Sequence, residues 1–397
     1  MIKFDFQTFT KKFINQDEYR AIYEKKEEYK EKLKNNEMTG WLKPIDKDIL
    51  TDIKVTAKHI KENYDCLVVV GIGGSYLGSH AFEKAFRKYF NDNHFEIIYA
   101  GTTLSSKYLQ ELTRYLQNKN YCLNVISKSG NTFETTITYN YLKNQLKAKY
   151  NDEELKDRII ITTDEFDGRL REEATVKQYK SFIIPNDIGG RFSFLTPAHL
   201  LPLALNFNLD EIVEGYNEGQ KLIDVAFEYA TVRYLLFKKN KYIENFCVYE
   251  ENLQEFTEWL KQLFAETEGK NGKGIFPVST VHTRDLHSLG QFIQDGNKIM
   301  FETFIKIATS DDFIEYRGRE LQAINNVVLE SVIRAHYTGN VPILQIELTD
   351  LDVESVSTLI FFFMVAASFS GFLFEVNPFD QPGVEVYKKE VLEAIQI

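Results

Sequence analysis

Cysteine is scarce in this chain: Cys66, Cys122 and Cys247 are the three in 397 residues, far apart and inside apolar runs. They offer no metal-ligand spacing and no framework of pairs, so they read as buried thiols of a reducing compartment, the cytoplasm. A long Lys/Arg cluster is missing too, and the formal charge is −11. That argues against nucleic acid, whose phosphates need a basic face. No targeting segment is expected either, since "MIKFDFQTFTKKFINQDEYR" mixes charges and has no unbroken apolar core. The longest apolar run, "LIFFFMVAASFSGFLF" from Leu359 to Phe374, is shorter than the roughly 20 residues of a bilayer span. Glu354 and Glu375 flank it, with no Lys or Arg nearby. It reads as a buried helix of a large α/β core, not as a membrane anchor.

What is present is an alternation of strands and helices. The chain is 44% apolar and too long for one ordinary core, which gives two domains as the prior. "DCLVVVGIGGS", "HFEIIYAG", "YCLNVISKSGN", "RIIITTD" and "KSFIIPN" read as strands, with helical patterns between them. Continuous β-branched runs between helices mean strands covered on both faces, hence a parallel sheet. A second series, "NFCVYE", "IFPVST" and "VPILQIEL", repeats the pattern from about Asp187 onward. The expected fold is therefore α/β with two doubly wound parallel sheets. The expected division is a helical segment 1–54 packing on the larger domain, a small domain 55–187, a large domain 188–374 and a C-terminal segment 375–397. The charged stretch "EYRAIYEKKEEYKEKLKNN" reads as one solvated helix. Ligands of open α/β sheets bind beyond the strand C-termini, so chemistry is sought in the loops there.

Two such loops stand out. "GIGGSYLGSH", residues 71–80, follows the apolar run "CLVVV" and precedes a helix. The dinucleotide fingerprint G-x-G-x-x-G fails, because Tyr76 stands where the third glycine belongs. The P-loop fails as well, with Ser79 and His80 in place of its Lys and hydroxyl. A small-anion cradle with Ser75 as hydroxyl donor remains, beside a plain tight turn. "SKSGNT", residues 127–132, has the same strand–turn–helix context. It adds hydroxyls at Ser127, Ser129 and Thr132 and a charge at Lys128, a set suited to three phosphate oxygens, although Ser and Thr there also cap helices. Two such turns in one domain point to a sugar phosphate or similar monoester.

Six stretches taken together resemble the bacterial glucose-6-phosphate isomerase family: "GIGGSYLGSHAF", "ISKSGNTFETT", "DIGGRFSFLTPAHLLPLAL", "QLFAETEGKNGKGIFP", "DLHSLGQFIQDG" and "NPFDQPGVEVYKK". "MTGWL", Met38 to Leu42, is similar to that family's N-terminal region. The resemblance implies SIS-type, flavodoxin-like domains and a cytoplasmic homodimer. It also implies aldose–ketose isomerisation of glucose 6-phosphate and fructose 6-phosphate. The ring opens and a base moves a proton between C2 and C1 through an enediol(ate). No cofactor and no metal is implied, because the carbonyl itself acidifies the adjacent C–H.

Such chemistry needs a base, a ring-opening acid/base, positive charge at the developing oxyanion and a grip on the phosphate. Matched motif by motif, the resemblance puts the base at Glu266 in "ETEGK", with Glu268 as competitor. Ring opening falls to His287 in "DLHSLGQ", with His282 outside the motif. A catalytic role falls to Lys388 in "DQPGVEVYKK", followed directly by Lys389. Arg191 in "GGRFS" would face the enediolate, and Gln381 would contact phosphate. Gly74 and Ser75 would face substrate, while Ser127, Lys128, Ser129 and Thr132 would hold the phosphate. In the family the histidine reaches the cleft of the other subunit. Two alternatives remain at this point: an isomerase of broader hexose selectivity, and a non-catalytic phosphosugar sensor, which would need a basic DNA-binding module.

Overall fold

The computed structural model describes residues 1–90, 93–310 and 312–395. The chain forms two compact units, an inserted unit of residues 37–213 and a two-part unit of residues 1–36 with 214–397. Where composition suggested boundaries at 54/55 and 187/188, the units divide at 36/37 and 213/214. The Lys47–Asn63 helix explains the first shift. Asp46 caps it by accepting from the Asp48 and Ile49 amides, and Ile53, Thr56, Ala57 and Ile60 form its buried stripe. That i, i+3, i+4, i+7 stripe packs on the inserted unit's sheet and on the Pro197–Leu203 helix. The charged N-terminal stretch is two helices, Gln16–Tyr23 and Lys26–Lys34, where one was expected.

The strands in chain order are β1 (Ile2–Asp5), β2 (Cys66–Val70), β3 (Glu96–Ala100), β4 (Tyr121–Ile126), β5 (Ile159–Thr163) and β6 (Lys180–Ile183). They continue with β7 (Ile243–Val248), β8 (Phe276–Val281), β9 (Met300–Ile307), β10 (Glu315–Tyr316), β11 (Arg319–Glu320) and β12 (Ile343–Leu348). The inserted unit holds β3-β2-β4-β5-β6, all parallel, with Val68 opposite Ile98 and Leu123. Every residue of β2, β4 and β5 is buried. Each fully buried Val, Ile or Leu there contributes about 1.5–3 kcal/mol. This is the flavodoxin-like order, whose switch point falls between β2 and β4.

The two-part unit holds β1-β12-β9-β7-β8. Four of these strands are parallel, but β1 joins the edge antiparallel, with Ile2 opposite Leu348. The second sheet is thus mixed, not wholly parallel. Antiparallel edge strands on otherwise parallel sheets are common. β10 and β11 form a separate two-stranded hairpin. The apolar Val353–Leu373 helix is buried from Ser355 to Leu373. It packs on the Ile223–Phe237 and Gln254–Glu268 helices, so it is the core of this unit. Two of its hydroxyls bond the preceding turn of the helix: Ser357 donates to the Val353 carbonyl at 2.7 Å and Ser368 to the Met364 carbonyl at 2.9 Å.

Candidate active site

In the inserted unit, the loops after β2 and β4 lie at the switch point, where open α/β sheets bind ligands. The first turns sharply through Gly73, whose φ of +57° suits glycine, into a short 3-10 turn Gly73–Ser75. Gly74 carries a packing requirement beside its expected place facing substrate. A Cβ there would lie 2.3 Å from the Gly190 carbonyl carbon, so two protein backbones touch. Ser75 is partly exposed on this turn.

In the second loop, the Ser127 and Thr132 hydroxyls bond each other at 2.9 Å. Thr132 occupies the N-cap of the Phe133–Lys147 helix, yet its side chain does not cap it. The first amides of that helix therefore keep their donors and their share of positive dipole for an anion. Ser129 is exposed, and its hydroxyl accepts from the Asn131 amide at 3.3 Å. Lys128 does more than carry charge. Its ammonium donates to the Asn186 carbonyl at 3.0 Å and the Ile188 carbonyl at 3.1 Å, tying this turn to the segment before Arg191. Partial burial lowers its pKa. Of its three donors two are used, which leaves one for a phosphate.

Arg191 is buried in the 3-10 turn Gly190–Phe192. That turn rests on the "MTGWL" segment, where Trp41 stacks on Phe192 at 5.3 Å. Gly40 donates to the Asp187 carbonyl at 3.1 Å, and a Cβ on it would strike the Asp187 carboxylate at 2.3 Å. Beneath lies His199, buried on the Pro197–Leu203 helix. Its Nδ1 accepts from the Ser79 amide at 3.0 Å, and Nε2 faces the Gly74 carbonyl at 2.9 Å. Burial pushes its pKa down to about 4, so the ring is neutral. His199 is absent from the motif-derived residues. Its one signal is a polar ring in the apolar run "PAHLLPLAL".

In the two-part unit, Glu266 and Glu268 sit in the last turn of the Gln254–Glu268 helix. Glu268 is fully buried. Arg233, itself fully buried, pairs with it and with Glu244 at 2.7 Å, and donates to Ser370 at 2.7 Å. The Ile275 amide also donates to Glu268, at 3.3 Å. Burial raises the Glu268 pKa against the pull of Arg233. Glu266 is half-buried and accepts from the Gln262 amide group at 3.1 Å. Just beyond, Gly274 (φ +112°) would bring a Cβ within 3.0 Å of the Glu268 carbonyl carbon.

The C-terminal segment is fastened to this same end of the unit. Lys270 binds the Asn377 carbonyl and pairs with Asp380 at 2.9 Å, while Lys273 donates to the Phe374 carbonyl at 2.9 Å. Gln381 follows directly, half-buried, and opens the exposed Pro382–Ile395 helix. Lys388 lies on that helix, paired with Glu385 at 2.8 Å. Lys389 faces Glu393 at 3.7 Å.

His287 ends the exposed 3-10 turn Arg284–His287, which packs on β8 just past its C-terminus. Asp285 fixes the turn by accepting from the Val281 amide at 2.7 Å. His282 is buried instead, and burial pushes its pKa down to about 4. Glu268 bonds the residue before β8, while His287 follows its end. The helix end bearing Glu266 and the turn bearing His287 are thus at opposite ends of this strand. The six residues of β8 span about 17 Å at ~3.3 Å per step.

Residues 53–330 match the phosphoglucose isomerase family. The glucose-6-phosphate isomerase of Fusobacterium nucleatum is 41% identical, covering 96% of this chain and 92% of that relative. A hypothetical protein of Thermus thermophilus superposes with a TM-score of 0.86 at 25% identity, over all of both chains. A glucose-6-phosphate isomerase of Chlamydia trachomatis shares the fold, with a TM-score of 0.77 at 19% identity over 91% of this chain and 77% of that one.

Proposed function

This chain belongs to the phosphoglucose isomerase family, and on that premise we propose which of its residues interconvert glucose 6-phosphate and fructose 6-phosphate. The protein is a glucose-6-phosphate isomerase, an aldose–ketose isomerase acting on a hexose 6-phosphate. The phosphate is held by Ser127, Ser129, Thr132, the open amides of the helix they precede and the remaining donor of Lys128. Ser75 and Gly74 lie against the sugar, and Gln381 adds a phosphate contact. Ring opening uses His287, with Lys388 supplying positive charge at that end of the substrate. Glu266 takes the C2 proton and returns it at C1. Arg191 stabilises the enediolate, since its guanidinium stays charged throughout. The active form is a cytoplasmic homodimer.

One observation carries the shared site. Glu266 and His287 of one chain belong to opposite ends of β8, about 17 Å apart along the strand. Proton transfer at C2 and ring opening act on neighbouring atoms of one sugar. A second copy that lends its His287 brings the two groups together, and its surface excludes water from the site. The test is a mixed dimer of Glu266→Ala and His287→Ala chains, each inactive alone, unfolded together and refolded. With shared sites, one of the heterodimer's two sites carries both defects and the other none. Fructose 6-phosphate turnover, followed through coupled oxidation of glucose 6-phosphate, then reappears. An inactive mixture that mass measurement shows to contain heterodimer rules the arrangement out.

A further inference from the structure

We propose that His199 is a positioning residue that locks the Gly74–Ser75 turn and the Arg191 turn into one rigid piece. The proposal rests on the reading of Arg191 as the enediolate-facing cation. The reaction makes no demand on His199, which is buried beneath both turns. Its hydrogen bonds fix its tautomer. The Ser79 amide can only donate, so Nδ1, 3.0 Å away, accepts and carries no proton. The proton sits on Nε2, which donates to the Gly74 carbonyl at 2.9 Å. Ser193 completes the link. Its hydroxyl lies 2.6 Å from the Gly190 carbonyl and 3.2 Å from Nε2. Its one proton goes to Gly190, and its oxygen shares the Nε2 proton. A continuous chain of bonds therefore runs from the start of the Leu77–Phe86 helix, through the imidazole, to the carbonyls of Gly74 and Gly190.

The fit leaves no slack. A Cβ on Gly78 would lie 3.2 Å from the His199 Cε1, and one on Gly74 would lie 2.3 Å from the Gly190 carbonyl carbon. Phe194 stacks on the ring at 6.2 Å with an interplanar angle of 22°. Gly190 is the residue immediately before Arg191. Any give in the clamp is therefore passed directly to the guanidinium, whose interaction is with the transition state more than with the ground state. Misplacement by about 1 Å costs on the order of 10²-fold in rate. The loss belongs in kcat, with KM little changed.

The test compares His199→Phe, His199→Gln and His199→Asn with Arg191→Ala, using fructose 6-phosphate turnover. Phe keeps the ring and removes both bonds. Gln places its amide donor where Nε2 stood, and Asn places its acceptor where Nδ1 stood. We expect His199→Phe and His199→Asn to lose about 10–10²-fold in kcat. KM should move under about 3-fold, and His199→Gln should recover most of the loss. In the double variant Arg191→Ala/His199→Phe, the second change should add little to the first, because it acts through the arginine. An unimpaired Arg191→Ala would overturn the reading on which the clamp stands, and the clamp with it. An impaired Arg191→Ala beside a folded, fully active His199→Phe would overturn the clamp alone. If His199→Phe does not fold, equal kcat in the Gln and Asn variants overturns it.

Discussion

Two carboxylates separated by one residue should divide stability and catalysis between them. In Glu268→Gln the fold loses a buried charge that Arg233 shares with Glu244. Arg233 keeps Glu244 at 2.7 Å and Ser370 at 2.7 Å, so it is not abandoned. The loss is then one charge-assisted hydrogen bond, about 1.5–3 kcal/mol, below the 3–5 kcal/mol expected when a buried charge is left alone. For a unit of this size each kcal/mol moves Tm by about 2–4 °C, which gives a fall of about 3–12 °C. Isomerase activity of the folded protein should stay within about 3-fold, since the core charge takes no proton in the reaction. Glu266→Gln reverses the pattern. The amide is nearly isosteric and the site half-exposed, so Tm should hold within about 2 °C, whereas turnover should fall about 10²–10⁴-fold. Thermal melts and the coupled assay on both variants decide it. A Glu268→Gln enzyme with normal Tm and no turnover would refute both the base assignment and the reading of Arg233.

Lys128→Ala should weaken a phosphorylated inhibitor far more than an unphosphorylated polyol, and should also lower kcat, because the ammonium bonds the Asn186 and Ile188 carbonyls. Equal losses for the two inhibitors would contradict the phosphate role. Stability should fall as pH drops from about 6.5 to about 4, since burial holds His199 and His282 near 4. In that window the unfolded chain binds protons that the folded one refuses. Each histidine then costs about 1.4 kcal/mol per pH unit. Denaturant titrations across the window should show His199→Phe with a shallower slope, and an unchanged slope would contradict the neutral imidazole.

The sheets were legible in sequence where strands are uniformly apolar, as in β2, β4 and β5. β9 was not, although it is a central strand. Its "MFETFIKI" interleaves Glu302 and Lys306 with apolar residues. Those charges are satisfied by groups far along the chain: Glu302 by His336 at 2.7 Å and by Asn245 at 3.1 Å, Lys306 by Glu330 at 2.8 Å and Gln345 at 2.9 Å. No local pattern announces such partners. β1 escaped notice because four residues at an edge, opposite Gln345–Leu348, carry almost no periodic signal. The turns after β2 and β4 were readable as turns, since glycines and hydroxyls between strand and helix have a local cause. The packing need for Gly74 was not legible, because the backbone that crowds it lies at Gly190, over a hundred residues away. His199 was missed for the same reason.

The surroundings of Glu266 and Glu268 give the proposal of Glu266 as base its physical ground. Successive residues of an α-helix are turned by about 100°, so these two point about 200° apart, to opposite faces. One face is the core, where Arg233 holds Glu268 from 35 residues away. A charge held there has one partner arrangement and a protonation equilibrium governed by burial, which suits structure and not turnover. The other face, which carries Glu266, is half-open to solvent, the setting expected of the proposed base. The phosphate end shows the converse. Phosphate oxygens keep their charge through the reaction, so fixed donors would suit them, and the proposed phosphate residues supply hydroxyls, an anchored ammonium and helix amides that no side chain caps. Glu266 and His287, the proposed base and ring-opening group, sit instead on a helix end and an exposed turn of the two-part unit. The periodicity of one helix thus separates a half-exposed carboxylate, the proposed base, from a buried structural one, and the physical ground for that separation is Arg233, distant in sequence.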